Sequence, residues 1–242
     1  EWQLQSYGDL SDAVAYTYQQ DGHSFYVLTL PSARTTWVYD IATNAWHERA
    51  GWENNQFTRH RSNCQVSFAN QTVVGDYQNG RLYALDMELY KDDDRVQKWL
   101  RSWRALPTGQ NNLKRTTQHS LQLDCESGVG LSGYDPTDLV GYLLTEAGDF
   151  MLTEAGDFLA LDDDLVTQGA NPKLMLRWSD DGGHTWSNEH WAEMGRVGEY
   201  NRRVFWRRLG MTLKLRDRVY EVSGTDPVKI AIMGAELIVS PT

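Results

Sequence analysis

The stretch Ser179–Trp186 reads SDDGGHTW, a Ser-x-Asp-x-Gly-x-Thr-Trp spacing in which each fixed residue has a task in a hairpin. Leu174–Trp178 runs into it as a strand. Asp180, Asp181, Gly182 and Gly183 make the reversal, because glycine enters the positive-φ region without a Cβ clash. Ser179 and Asp181 are short polar side chains that hydrogen-bond turn amides the strand ladder no longer serves. Thr185 is expected to start the return strand and Trp186 to tuck its ring beneath the turn. A ring buried there would cost about 3–5 kcal/mol to remove.

Working outward, period-2 patterning dominates. Phe25–Leu30 reads as a strand ended by Pro31, Thr36–Ile41 as a second, and Ala45–Glu48 as a third. Asn44 turns the chain between the last two, and Trp46 returns onto the sheet, as in a kelch-type blade. Thr72–Tyr77 and Arg81–Asp86 flank Asn79-Gly80, a strong hairpin signal. Further strands are expected at Ser120–Asp124, Val204–Leu209, Arg218–Ser223, Lys229–Ile232 and Leu237–Val239. Residues 92–106 read either as a helix, with Trp99 and Trp103 at i,i+4, or as an acidic loop followed by a strand near Gln97–Trp103.

Strands separated by Gly, Asn and Asp turns suggest a sandwich or a propeller. The blade-like hairpins and the Ser179–Trp186 turn favour an all-β, β-propeller-like fold of four-stranded blades, in one domain over 1–242. A blade takes about 40–50 residues, so the chain supplies about five at most, a partial or atypical ring. LLTEAGDF at 143–150 is followed by MLTEAGDF at 151–158. This tandem repeat reads as a hairpin insert over 142–161, with a duplicated binding loop as the alternative. Asp162, Asp163 and Asp164 follow without the alternating spacing of a calcium loop, and a solvated acidic turn accounts for them.

The chain has 242 residues, ten Trp, twelve Tyr and a formal net charge of −10. The aromatic weight suits packed sheets. The negative charge argues against gripping nucleic acid with the whole surface, since neutralising phosphates needs Lys and Arg, but leaves room for a local basic patch. Cys64 and Cys125 show no metal-ligand spacing; a disulfide is possible but nothing requires one, and two reduced thiols are the expectation. No apolar run approaches 18 residues and no membrane contact is expected. The chain opens Glu-Trp-Gln, as a fragment of a longer polypeptide would.

Sialidases use the SxDxGxTW turn, the Asp-box, repeatedly. Their chemistry, however, needs arginines converging on a carboxylate, a Tyr nucleophile with a Glu partner, and an Asp acid. Arg202, Arg203, Arg207 and Arg208 alternate instead, which puts Arg203 and Arg207 on one strand face and Arg202 and Arg208 on the other. An oligomer interface, with carboxylates from a neighbour, suits them better. His60, in the basic stretch RHRSNC at 59–64, is a further interface candidate. The six histidines are scattered, and HExxH, GxSxG and P-loop motifs are absent. No catalytic residue, cofactor or metal is assigned. Trp46, Trp52, Trp186 or Trp191 acting as sugar platforms would make a carbohydrate-binding propeller module the alternative function, with a sialidase-like glycosidase ranked after it.

Residues 174–211, LMLRWSDDGGHTWSNEHWAEMGRVGEYNRRVFWRRLGM, together with DRVYEVSGTDPVKIAIMGAELIV at 217–239, closely resemble the packaged-DNA stabilisation, or tail hub (nozzle), proteins of short-tailed phages. WVYDIATNAWHERAGW, HRSNCQV, VVGDYQNGRLYALD and LQLDCESGVG fit the same family, so the likeness spans roughly residues 12–240. The tandem TEAGDF insert departs from its pattern. The resemblance implies a non-enzymatic virion protein, assembled in the host cytoplasm into a ring of six copies. Such a ring sits beneath the portal, closes the channel, binds portal, adaptor and other tail proteins, and touches the packaged DNA transiently.

Overall fold

A computed structural model describes residues 2–93, 95–104, 115–131, 168–212 and 218–241. The strand spacing suggests one domain, but the chain's contacts divide into two compact units, Glu1–Gln97 and Lys98–Thr242. The hairpin expected at 142–161 lies outside the described residues.

The first unit opens with a five-residue helix, α1 (Trp2–Ser6), followed by β1 (Val14–Gln20), β2 (His23–Leu30), β3 (Thr35–Asp40) and β4 (Ala45–Glu48). These four pair antiparallel in chain order, a blade-like meander. The Asp21-Gly22 turn joins the first two with both residues at positive φ, the geometry that follows the twist of paired strands. Asn44 adopts φ 54° between β3 and β4, and the Tyr39 hydroxyl donates to its Oδ1 at 3.1 Å. One face of the sheet buries Tyr18, Val27 and Val38 with Tyr16, Phe25 and Leu85 against them. The other aligns Tyr26, Tyr39 and Trp46 as a cross-strand row, and Trp46 packs there while 51% exposed.

A two-stranded hairpin of β5 (Ala50–Glu53) and β6 (Gln56–Arg59) turns on Asn54 and Asn55, both in the left-handed region. β7 (Ser62–Phe68), β8 (Gln71–Asp76) and β9 (Leu82–Ala84) form a second meander. The Asn79-Gly80 pair lies in the β8–β9 turn, where Asn79 Oδ1 accepts the Arg81 N–H at 2.8 Å. Among the described residues of the 92–106 stretch there is no helix: β10 (Trp99–Arg104) follows an irregular acidic segment, so the loop-then-strand reading holds.

The second unit adds β11 (Thr116–Cys125), β12 (Lys173–Ser179), β13 (His190–Glu193), β14 (Val204–Met211), β15 (Val219–Gly224) and β16 (Ile232–Pro241). They form two sheets, ordered β10-β15-β12-β13 and β14-β11-β16. Leu174, Leu176, Tyr220 and Val222 from the first meet Leu121, Leu123, Val204, Trp206 and Leu209 from the second in one buried core. Two layers facing one core make a sandwich. Tyr220 ties the layers by donating to Gln118 Oε1, and burial pushes its phenol up to about 12. The Ser179–Trp186 turn therefore belongs to a sandwich layer and not to a propeller blade. A hairpin is a local device and does not dictate how sheets stack.

Both cysteines are free thiols; Cys64 is exposed, and burial raises Cys125 above the usual thiol range. Among the described residues no helix is long and apolar enough to cross a membrane.

Candidate functional site

At the end of β12, Ser179 is buried and its hydroxyl accepts the Gly183 N–H at 2.8 Å while donating to Asp181 Oδ1 at 2.6 Å. Asp181 Oδ1 also accepts the backbone N–H groups of His184 (2.9 Å) and Thr185 (2.8 Å), and Oδ2 takes the Thr185 hydroxyl at 2.6 Å. These donors, led by the Ser179 hydroxyl, hold the Asp181 carboxyl well below the usual carboxylate range. Gly182 and Gly183 take φ 78° and 105°. Every oxygen of Asp181 is engaged within the turn, so its arrangement is that of a backbone organiser.

Two expectations about this turn change. Thr185 does not start the return strand; the Ser187 N–H donates to the Trp178 carbonyl at 2.8 Å and β13 begins only at His190. Trp186 lies outside the buried core. Its ring is half-buried against Gly183, with the Arg177 guanidinium stacked 4.8 Å from the ring centre. Trp186→Ala is accordingly expected to cost about 1–2 kcal/mol, below the range for a fully buried aromatic. Chemical denaturation measures it, and a loss above 3 kcal/mol would show that the ring is buried in solution.

The group that fixes the turn from outside carries no sequence signal. Arg218, 3% exposed, grips Asp180 with Nε to Oδ1 at 2.6 Å and Nη2 to Oδ2 at 2.7 Å. It also donates through Nη1 to the Leu209 carbonyl at 2.7 Å and through Nη2 to the Met211 carbonyl at 3.2 Å. Asp180 occupies a variable position of the SxDxGxTW spacing, 38 residues from its partner.

The arginine-rich segment departs from its expected alternation. Arg202 and Arg203 precede β14, and Arg202 pairs with Glu193. Within β14, Val204 and Trp206 point inward, but the register against β11 shifts between Gln118 and Ser120. Arg208 there takes φ 59° and Leu209 points inward at 2% exposure. The bulge thus leaves Arg207 and Arg208 both exposed, where simple alternation puts them on opposite faces. Arg207 stacks 4.8 Å over the Phe205 ring. Thr117, His119, Ser120, Phe205 and the two arginines line a shallow groove of about 460 Å³.

His60 sits in the first unit and is half-buried. Its Nδ1 accepts the Ser62 N–H at 3.3 Å and lies 2.6 Å from the Ser62 hydroxyl, which also meets Tyr16 Oη at 2.5 Å. Burial, then Arg49 and Arg61, lower its pKa to about 3, so the imidazole stays neutral inside its own unit. Beside it, Arg61 is 5% exposed among three carboxylates: Glu53 at 2.9 Å, Asp92 at 3.0 Å and Asp76 at 3.2 Å.

The architecture and the sequence agree with known proteins. A family model described as Bacteriophage P22 Gp10, beta-propeller, matches residues 1–90, the unit with the blade-like meanders. A second, Bacteriophage P22 Gp10, beta-sandwich, matches residues 150–240, within the two-layer unit. No curated protein matches the chain. The chain belongs to the packaged-DNA stabilisation family of bacteriophage P22 Gp10, a family of phage structural proteins.

Proposed function

We propose that the protein is a tail hub, or nozzle, subunit that closes the portal channel and retains the packaged genome. It acts as a ring of six copies, joined to portal, adaptor and other tail proteins in the virion and assembled in the host cytoplasm. The observation that supports this most is that two Gp10 models, one propeller and one sandwich, match successive parts of the chain that fold as separate all-β units. The role asks for surfaces and rigidity, not chemistry, and the Ser179–Trp186 turn suits that as a hairpin lock.

The 202–208 segment serves this reading as a contact surface of the assembly. Arg202 is already engaged by Glu193 and His60 by Ser62, which leaves Arg203 the stronger candidate for a protein contact there. A carbohydrate-binding module has two exposed rings in its favour, Trp191 at 57% and Trp46, at 51% in its row with Tyr26 and Tyr39. A propeller blade presents such a row to the next blade, so the hub reading accounts for the Trp46 row too.

Purified protein mixed with portal complex is expected to give rings and a specific portal-bound species by negative-stain imaging and light scattering. A monodisperse monomer that ignores portal and tail components would count decisively against the hub role.

A further inference from the structure

We propose that the bulge shared by β14 and β11 is a contact for the phosphodiester backbone of the packaged DNA, with Arg207 and Arg208 as its two cations. The inference rests on the packaged-DNA role of the family. Its own support is the way the backbone is bent to present those two side chains.

Regular alternation from Val204 and Trp206 would turn residue 208 into the core. Instead Arg208 adopts a left-handed φ of 59°, a conformation in which a long side chain is uncommon, and Gly210 follows at φ 76°. The partner strand shifts register at the same place, leaving His119 exposed, with its Nε2 2.9 Å from the Ser240 hydroxyl. The result is two adjacent guanidinium groups on the outside of a sheet, beside an open groove with Thr117 and His119 on its wall. The stack on Phe205 fixes Arg207 against that wall.

Neither arginine has a carboxylate partner among the described residues. Exposed Arg34, Arg101, Arg196 and Arg203 also lack one among those residues while Arg81, Arg95 and Arg202 are paired, so what sets Arg207 and Arg208 apart is that two such side chains stand together on one groove. Two uncompensated like charges side by side favour an external anion. The guanidinium fork matches phosphate oxygens two at a time, and a shallow groove admits a backbone without reading bases. Contact at only two cations per copy is weak. Repetition around an assembly would retain DNA, while each single contact releases readily.

The test titrates a fluorescein-labelled DNA duplex with the whole chain and follows anisotropy from about 20 to about 150 mM salt. Wild type is expected to bind at low salt, with log K falling against log salt at a slope of about −2. Arg207→Gln with Arg208→Gln is expected to weaken low-salt binding at least about tenfold and bring the slope near zero. Arg196→Gln, the same kind of charge change elsewhere, is expected to leave both within about twofold. If the double glutamine variant does not fold, Arg207→Gln alone should lower the slope by about one, and lysine at both positions should preserve it.

Absence of wild-type binding at low salt overturns the proposal, as does equal binding by the double variant. So does a double variant that loses self-association while its DNA binding is unchanged, because the arginines then pair with carboxylates of a second copy. Rings that engage the portal but ignore DNA would overturn this inference and leave the hub role standing. DNA binding through the arginines without ring formation would do the reverse.

Discussion

Replacing Arg218 with leucine is expected to destabilise the Lys98–Thr242 unit by about 3–5 kcal/mol, the usual loss when one partner of a buried ion pair is removed. The side chain joins three pieces of the sandwich. Its fork holds Asp180 at the tip of the β12 hairpin, and its remaining donors reach the carbonyls of Leu209 and Met211 around the β14 bulge. Its guanidinium also lies 5.6 Å from the centre of the Trp178 ring. Leucine fills part of the volume but leaves the Asp180 carboxylate and two carbonyls without that donor. Asp180→Asn alone should cost less, because an amide still accepts from the guanidinium. The double variant, Asp180→Asn with Arg218→Leu, should then be more stable than the sum of the single losses implies, since the stranded charge is gone. Urea unfolding followed by tryptophan fluorescence measures each corner of the cycle. A loss under about 1 kcal/mol for Arg218→Leu would mean the pair behaves as an exposed one, and the lock described above would fail.

That pair marks where the sequence stopped being legible. Strands with strong alternation and a clear breaker were readable: Phe25–Leu30, Thr36–Ile41 and Ala45–Glu48 fall within one or two residues of β2, β3 and β4. β1, VAYTYQQ, and β7, SNCQVSF, were not read, because their inward positions are Tyr or polar residues whose burial depends on the neighbouring sheet. The Ser179–Trp186 turn was readable because its hydrogen bonds span at most four residues. Its layer was not, because stacking of sheets is decided by long-range contacts such as Leu121 and Leu123 against Leu174 and Leu176. The same holds for the arginines. Alternation from Arg202 to Arg208 assumes an uninterrupted strand, and the bulge that breaks it is set by pairing with Gln118 and Ser120 of β11, far earlier in the chain. His60 looked like part of an exposed basic loop, yet its N–H donates to Thr36 Oγ1 at 3.1 Å and ties it to β3. No local pattern announces that bond. The family likeness survived these misreadings because it rested on whole segments, not on the placement of any one turn.

Arg61→Met is expected to have the second large effect, a loss of about 3–5 kcal/mol from the Glu1–Gln97 unit at neutral pH. Arg61 draws Glu53, from β5, Asp76, at the end of β8, and Asp92, from the acidic segment, to one point. Glu53 is also reached by Arg95 at 3.3 Å and Gln78 at 3.1 Å, so the cluster holds a hairpin, a meander and a loop together. Burial already raises the Asp92 carboxyl above its ordinary value, opposed by Arg61 and then Arg95. Without Arg61 that opposition is largely lost, and the carboxylates left behind relieve their repulsion by taking up protons more readily than in the unfolded chain. A carboxyl whose folded pKa lies above its unfolded one adds stability below that unfolded value and loses it as pH rises through the folded one. The deficit of Arg61→Met relative to wild type should therefore be greatest near pH 7 and shrink as the pH falls toward about 4. Unfolding free energies of the two proteins, taken in parallel across that range, give the difference directly. A deficit independent of pH would mean the loss comes from packing of the arginine stem, and the three-carboxylate cluster would then contribute little as a charge network.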